Sequence, residues 1–288
     1  MESSAAILTS AKDLRLEKAR VWLQKLGVDL QSELHNIAGD ASFRRYFRLR
    51  VNGESRILMD APPPGEDVGP FIEIDQRLMV AGLHAPEIIY ADRANGFLLL
   101  EDLGDELYRD LLRADNVDLL FPPLFDLLKT LALDVDCRDL PEFDYRKLRR
   151  DMDLFPDWYL GHHRKRTPRD QLDKIWGSFC DCIIESALHQ PQAFVHRDFH
   201  SCNLLGIADN GIGIIDFQDA VKGPLSYDFT SLIWDRYISW PRSRIENWME
   251  TMRLELCPDL ESAQWRRYCD LMGLQRNFKI VGIFARLH

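Results

Sequence analysis

No stretch of the 288-residue sequence approaches the roughly 18 consecutive apolar residues that a membrane span needs, so a membrane partner is not expected. The opening Met1-Glu2-Ser3-Ser4 lacks the basic-then-apolar layout of a secretory signal. Cys137, Cys180, Cys182, Cys202, Cys257 and Cys269 form neither a Cys-x-x-Cys pair nor a disulfide-like spacing. These absences lead us to expect a reduced, cytoplasmic protein. A basic excess is missing too. The net charge of −10 argues against nucleic acid, whose phosphates favour basic surfaces, and suits either a cationic substrate or a solvated acidic face. Internal repeats and low-complexity tracts are absent, and no lysine occurs between Lys25 and Lys129.

What is present supports an enzyme. A chain of this length that is 46% hydrophobic can bury a sizeable core and is long enough for two lobes. The most informative stretch is Val195-His196-Arg197-Asp198-Phe199-His200-Ser201-Cys202-Asn203, followed by Ile214-Ile215-Asp216-Phe217. Asn203 to Ile207 reads as a strand, Asn210-Gly211 as a hairpin turn, and Gly213 to Ile215 as the returning strand. That hairpin brings Asn203 and Asp216 together at its open end, with Asp198 one loop away. Phosphoryl transfer needs a carboxylate to take the acceptor's proton, and oxygen ligands to hold Mg²⁺ against phosphates. Asp198 is therefore the candidate catalytic base, with Asn203 and Asp216 the candidate metal ligands. Each alone reads equally well as a turn cap or a hairpin end.

His196-Arg197-Asp198 with Asn203 and Asp216 resembles the kinase fold, and His200, where protein kinases carry a Lys, resembles the aminoglycoside-phosphotransferase-like branch. Asp216-Phe217 is followed by Gln218 and soon by Gly223-Pro224, leaving no room for a phosphorylatable activation segment. Asp216 to Val221, Tyr227-Asp228, Trp240-Pro241, Gly39 to Tyr46, Met59 to Pro63 and Leu99 to Gly104 look like the bacterial anomeric kinases of N-acetylmuramate and N-acetylglucosamine. The resemblance runs from about Val21 onward. It implies an α+β, two-lobed protein-kinase-like fold, with a β-rich nucleotide lobe over 1–101 and a helical catalytic and substrate lobe over 102–288. It also implies ATP as co-substrate, Mg²⁺, an amino-sugar acceptor and a place in peptidoglycan recycling. Members of the group continue further, so a shortened chain is expected.

Period-two alternation over Phe43 to Val51, the turn Asn52-Gly53 and Arg56 to Met59 predict a hairpin, with Phe43, Phe47, Leu49 and Val51 on the packed face and Arg44, Arg48 and Arg50 on the other. Leu14, Lys18, Trp22 and Leu26 predict a leading helix ending at Gly27. Further strands are expected over 33–38, 87–90 and 97–101, and helices over 70–81, 105–113, 117–134, 144–160, 170–189, 224–238, 242–255 and from 261. Gly39 lies in a turn whose backbone N–H groups could cradle phosphate, or in a plain loop. The main chain of Glu101 and Leu103 is expected along an adenine edge. Glu73 sits where the family has an ion-pairing Glu, and reads equally as a solvent-facing carboxylate. The strand lysine that kinases use on phosphates is replaced by Met59, which leaves Arg44 and Arg45 as candidate substitutes because guanidinium binds phosphate bidentately.

Arg197, His200, Gln218 and Asp219 are the candidate substrate contacts. His200 can instead brace the loop, and Asp219 can cap the following turn. Asp228 is expected to brace the catalytic loop. Trp234, Trp240 and the stripe Met152, Phe155, Trp158 and Tyr159 are expected in the core. Aminoglycoside, choline or homoserine kinases share the same catalytic residues. A nucleotide-binding pseudokinase is the alternative from another class.

Overall fold

The computed structural model describes residues 2–28, 34–37, 43–163 and 169–288. The chain divides into two compact units, one of residues 1–75 and 86–104, the other of residues 76–85 and 105–288.

The first unit is built on an antiparallel sheet of β1 (His35–Ile37), β2 (Arg45–Val51), β3 (Glu54–Asp60), β4 (Ile88–Asp92) and β5 (Phe97–Glu101), in the order β1-β2-β3-β5-β4. Asn52 and Gly53 take φ of 51° and 85°, the left-handed pair that closes a two-residue hairpin with the sheet's own twist. Val51 therefore pairs with Glu54, and this register sends Phe47, Leu49, Leu58, Phe97 and Leu99 to one face, while Phe43, expected there too, precedes β2 and is exposed. Helix α1 (Glu2–Lys25) covers that face with Leu16, Ala19, Trp22 and Leu23. The expected stripe through Leu14 and Leu26 is corrected here. Those side chains are 63% and 37% exposed, because the buried stripe runs through Ala19 and Leu23. Helix α2 (Gly69–Val80) is shared between the units at Asp75.

The second unit is mostly helical. Its helices are α3 (Tyr108–Leu111), α4 (Val117–Leu133), α5 (Tyr145–Leu154), α6 (Arg169–Leu188), α7 (Tyr227–Ile233), α8 (Arg242–Leu256) and α9 (Ser262–Leu287). Asp144 caps α5 by accepting from the Lys147 N–H at 2.9 Å, and the helix then widens into a π-helix over Phe155–His163. Two antiparallel ribbons, β6 (Gln192–Val195) with β9 (Val221–Pro224) and β7 (Leu204–Ile207) with β8 (Gly211–Ile214), frame the segment the motifs came from. The β6–β9 ribbon was not expected from the sequence. It shortens the helix expected over 224–238, since Val221–Pro224 pairs as a strand and Tyr227 opens α7.

The turn of the β7–β8 hairpin also differs from expectation. Asp209, not Asn210-Gly211, takes the left-handed conformation at φ 58°, in a 3-10 turn over Ala208–Asn210. Gly211 pairs with Ile207 as a strand residue. The core gathers Phe143, Leu148, Met152, Ile183, Ile184, Val195, Tyr227 and Met272. Trp240 packs against Phe121 and Trp248, as expected of a core aromatic. Gly273 and Gly282 let α9 come close: a Cβ at Gly273 would meet the Trp234 ring at 2.5 Å, and one at Gly282 the Leu154 backbone at 2.4 Å.

Candidate active site

The chain leaves β6 at Val195, turns through residues 196–203 and enters β7. Asp228, in the first turn of α7, holds the start of that loop. One oxygen accepts the His196 N–H at 2.6 Å and the other the Arg197 N–H at 3.1 Å. The buried His196 ring donates from Nε2 to the Ile215 carbonyl at 3.1 Å and accepts the Asp198 N–H at Nδ1, 3.3 Å away. Burial pushes its pKa down, which suits this neutral role. Asp235 accepts the Ser201 N–H at 2.8 Å. Arg197 and Asp216 take φ of 78° and 64°, strained for residues with side chains, and the bonds around them hold them there.

This bracing brings Asp198, Asn203 and Asp216 together. The Asn203 amide N–H₂ donates to the Asp198 carbonyl at 2.8 Å and to Asp216 Oδ2 at 3.3 Å. Leu204 pairs with Ile214, so the hairpin's open end carries both residues as the spacing predicts. Gln218 donates to Asp216 Oδ1 at 2.8 Å, and so sits against the metal-ligand candidate. The Asn203 amide oxygen makes no hydrogen bond among the described residues. A carboxylate such as Asp216 offers about four lone-pair sites on its two oxygens. An amide oxygen and a carboxylate form the donor set of a hard divalent cation that keeps several waters, so the residues present fit Mg²⁺.

Asp198 lies among cations that the sequence did not mark. Lys279 on α9 places its Nζ 3.7 Å from Asp198 Oδ1 and 3.9 Å from Asp151 Oδ2 on α5. Arg276 is one turn earlier on α9. Burial works to raise the Asp198 carboxyl, but the charges of Lys279 and Arg276 outweigh it and hold the group well below the usual carboxylate range. The His200 ring accepts from Arg236 at Nε2, 2.7 Å away. Burial and that guanidinium push its pKa down to about 3, so the imidazole is neutral. Arg197 reaches Asp151 at 3.7 Å and lies over the Phe143 ring. Asp219 is exposed.

The nucleotide candidates lie in the first unit. Gly39 is outside the described residues. Arg44 donates to Glu66 at 3.0 Å. Arg45 donates from Nε to Asp60 at 3.0 Å, and Arg15 reaches the same buried carboxylate at 2.5 Å. Met59 is fully buried in β3 between Tyr46 and Leu98. Glu73 is exposed, whereas Asp75, on the same helix, is buried. Glu101 ends β5, and the Leu103 backbone N–H and C=O make no hydrogen bond among the described residues, which leaves them open to a ligand edge.

Residues 33–267 match the model of the phosphotransferase enzyme family. The chain belongs to that family. It is 42% identical over 96% of its length to an N-acetylmuramate/N-acetylglucosamine kinase of Pseudomonas putida, covering 85% of that protein. It is 40% identical, again over 96%, to the kinase of the same description in Pseudomonas aeruginosa, covering 86% of it. Among solved structures it is similar to the ADP-bound aminoglycoside phosphotransferase APH(2'')-Ib, with a TM-score of 0.64, 16% identity and coverage of 92% and 90% of the two chains. At that identity the likeness is one of fold. The family's architecture is α+β and protein-kinase-like, as the five-stranded antiparallel sheet and the mostly helical second unit are here.

Proposed function

We propose that this family member is a cytoplasmic kinase that transfers the γ-phosphoryl group of ATP to the anomeric hydroxyl of N-acetylmuramate or N-acetylglucosamine, in peptidoglycan recycling. The reading rests on one juxtaposition above all: Asn203 bonded at once to the Asp198 carbonyl and the Asp216 carboxylate. Identity of about 40% to the two Pseudomonas kinases supports the acceptor class.

Asp198 orients the acceptor hydroxyl and takes its proton late in an in-line transfer. Lys279 and Arg276 keep that carboxylate ionised and make it a weak base. A weak base suffices because an anomeric hydroxyl is more acidic than an ordinary alcohol. Asn203 and Asp216 hold Mg²⁺, with Gln218 orienting Asp216. Bound there, the ion neutralises charge on the phosphate oxygens. Arg197, the neutral His200 and Asp219 contribute to the sugar side. On the nucleotide side, the main chain of Glu101 and Leu103 takes the adenine edge, and Gly39, Arg44, Arg45 and Glu73 are the candidates around the phosphates. Arg44 and Arg45 reach phosphate only by sharing or leaving Glu66 and Asp60.

The test is incubation with Mg²⁺-ATP and N-acetylmuramate, N-acetylglucosamine or kanamycin, followed by ³¹P NMR. A sugar 1-phosphate resonance is expected. Product from kanamycin alone would make the protein an aminoglycoside kinase, and ATP binding without any product would point to another acceptor such as choline or homoserine, or to a pseudokinase.

A further inference from the structure

Arg276 is 3% exposed, yet it makes no hydrogen bond and no ion pair among the described residues, and its Nε is buried without a partner. Its guanidinium rests over the Tyr227 ring at 5.4 Å. A cation taken out of water without a close carboxylate is strongly disfavoured unless something else brings negative charge.

The surroundings repeat the pattern. Lys279 is 7% exposed and stands 3.7 Å from Asp198 and 3.9 Å from Asp151. Arg197 reaches Asp151 only at 3.7 Å. All three distances exceed the roughly 2.7–2.9 Å of a charge-assisted hydrogen bond. Arg197 Nε, Asp151 Oδ2, Gln275 Oε1 and the Tyr227 hydroxyl are also buried without hydrogen-bond partners. Arg197, Arg276 and Lys279 stand near Asp151 and Asp198 without closing on either, and Asp219 and Asp228 act on Arg197 and Arg276 only at longer range. Asp228 turns its oxygens to the His196 and Arg197 main chain and lies beyond ion-pair distance of Arg276. A polar ligand with an anionic group would satisfy these buried donors and cations together.

We propose that Arg276, with Lys279 beside it on α9, forms a subsite for the carboxylate that N-acetylmuramate carries and N-acetylglucosamine lacks. The proposal rests on the amino-sugar reading above. The contacts of Arg197, Arg276 and Lys279 run to Asp151, Asp198, Phe143 and Tyr227, and among the described residues no hydrogen bond or ion pair joins them to Asn203 or Asp216. The transferring phosphoryl group is the other anion that comes to Asp198, and the experiment separates the two.

kcat and KM are measured with N-acetylmuramate, its uncharged lactyl amide and N-acetylglucosamine, for the parent protein, Arg276→Met and Lys279→Met. The parent is expected to prefer the carboxylate over the amide by roughly 10- to 100-fold in kcat/KM, mainly through KM. Arg276→Met should collapse that preference and the muramate-to-glucosamine ratio together, and Arg276→Lys should restore part of both. Equal loss on all three acceptors, carried by kcat, would confine the cations to tuning Asp198 or holding the phosphoryl group and overturn the proposal. So would a parent indifferent to amidation, a result that stands even if the variants fail to fold. If the parent phosphorylates neither sugar, the amino-sugar reading falls and takes the subsite with it. If it phosphorylates both without discriminating, only the subsite falls.

Discussion

In the β-rich unit the fully buried Asp60 takes Arg15 and Arg45 together, and Arg48 grips Asp102 through Nε and Nη2 at 2.7 and 2.9 Å. In the helical unit Arg276 touches no carboxylate, and Lys279 stops 3.7 Å short of Asp198. Both sets sit in largely desolvated surroundings, so the contrast is one of geometry. Closed pairs satisfy each other and hold the chain together. Cations left at a distance keep their field for something that arrives later, and the folded state carries the desolvation cost meanwhile.

Breaking the open set at its centre should have the largest effect. Asp198→Ala is expected to lower kcat on the order of 10³-fold while leaving ATP affinity within a few-fold, measured by coupled assay and by calorimetric titration of the nucleotide. Full activity in that variant would remove Asp198 from the mechanism. Breaking the closed set should unfold the protein instead. Asp60→Ala removes the buried carboxylate that two guanidiniums share and is expected to destabilise by about 3–5 kcal/mol in urea titration. A loss below about 1 kcal/mol would mean that Arg15 and Arg45 do not depend on it.

Asp75 sharpens the comparison as the exception in the β-rich unit: its Oδ1 is buried without a partner, and burial pushes the carboxyl from 3.8 up to about 7. Between those values the unfolded chain releases the proton and the folded chain keeps it, so stability falls as pH rises through that window. Asp75→Asn should match the parent near pH 4 and exceed it at pH 8 by about 2–4 kcal/mol. A parallel pH dependence in both proteins would contradict this. The smallest effect comes from Arg276→Met, which removes an unpaired buried cation. It should leave stability unchanged or raise it by about 1 kcal/mol, the opposite sign to Asp60→Ala. A loss as large as that of Asp60→Ala would erase the distinction between the two sets.

How much of this was legible in the sequence follows chain distance. Asp198, Asn203 and Asp216 lie 5 and 13 residues apart, so one hairpin register was enough to bring them together. The β2–β3 hairpin was legible for the same reason, through Asn52-Gly53 and the alternation ahead of it. Asp151, Arg276 and Lys279 were not, because α5 and α9 reach the catalytic loop only through tertiary packing. One local signal was available. Lys279 interrupts the apolar run Phe278-Lys279-Ile280-Val281, and a lone cation on a buried helical stripe needs a partner. Glu73 and Asp75 look alike in sequence, and only packing decides that Asp75 turns inward. At Asn210-Gly211 the dipeptide's usual turn preference gave way to Asp209.

Gly273 and Gly282 bracket Arg276 and Lys279 along α9, each with a neighbour where a methyl group would have to go. Any larger residue there must push the helix off Trp234 or Leu154, and the two cations ride on the same rigid rod. Acceptor preference in this protein is thus open to change through positions that meet neither acceptor nor nucleotide. Selection for a new acceptor has a short route there: a single added methyl group shifts the rod that carries both charges of the proposed subsite.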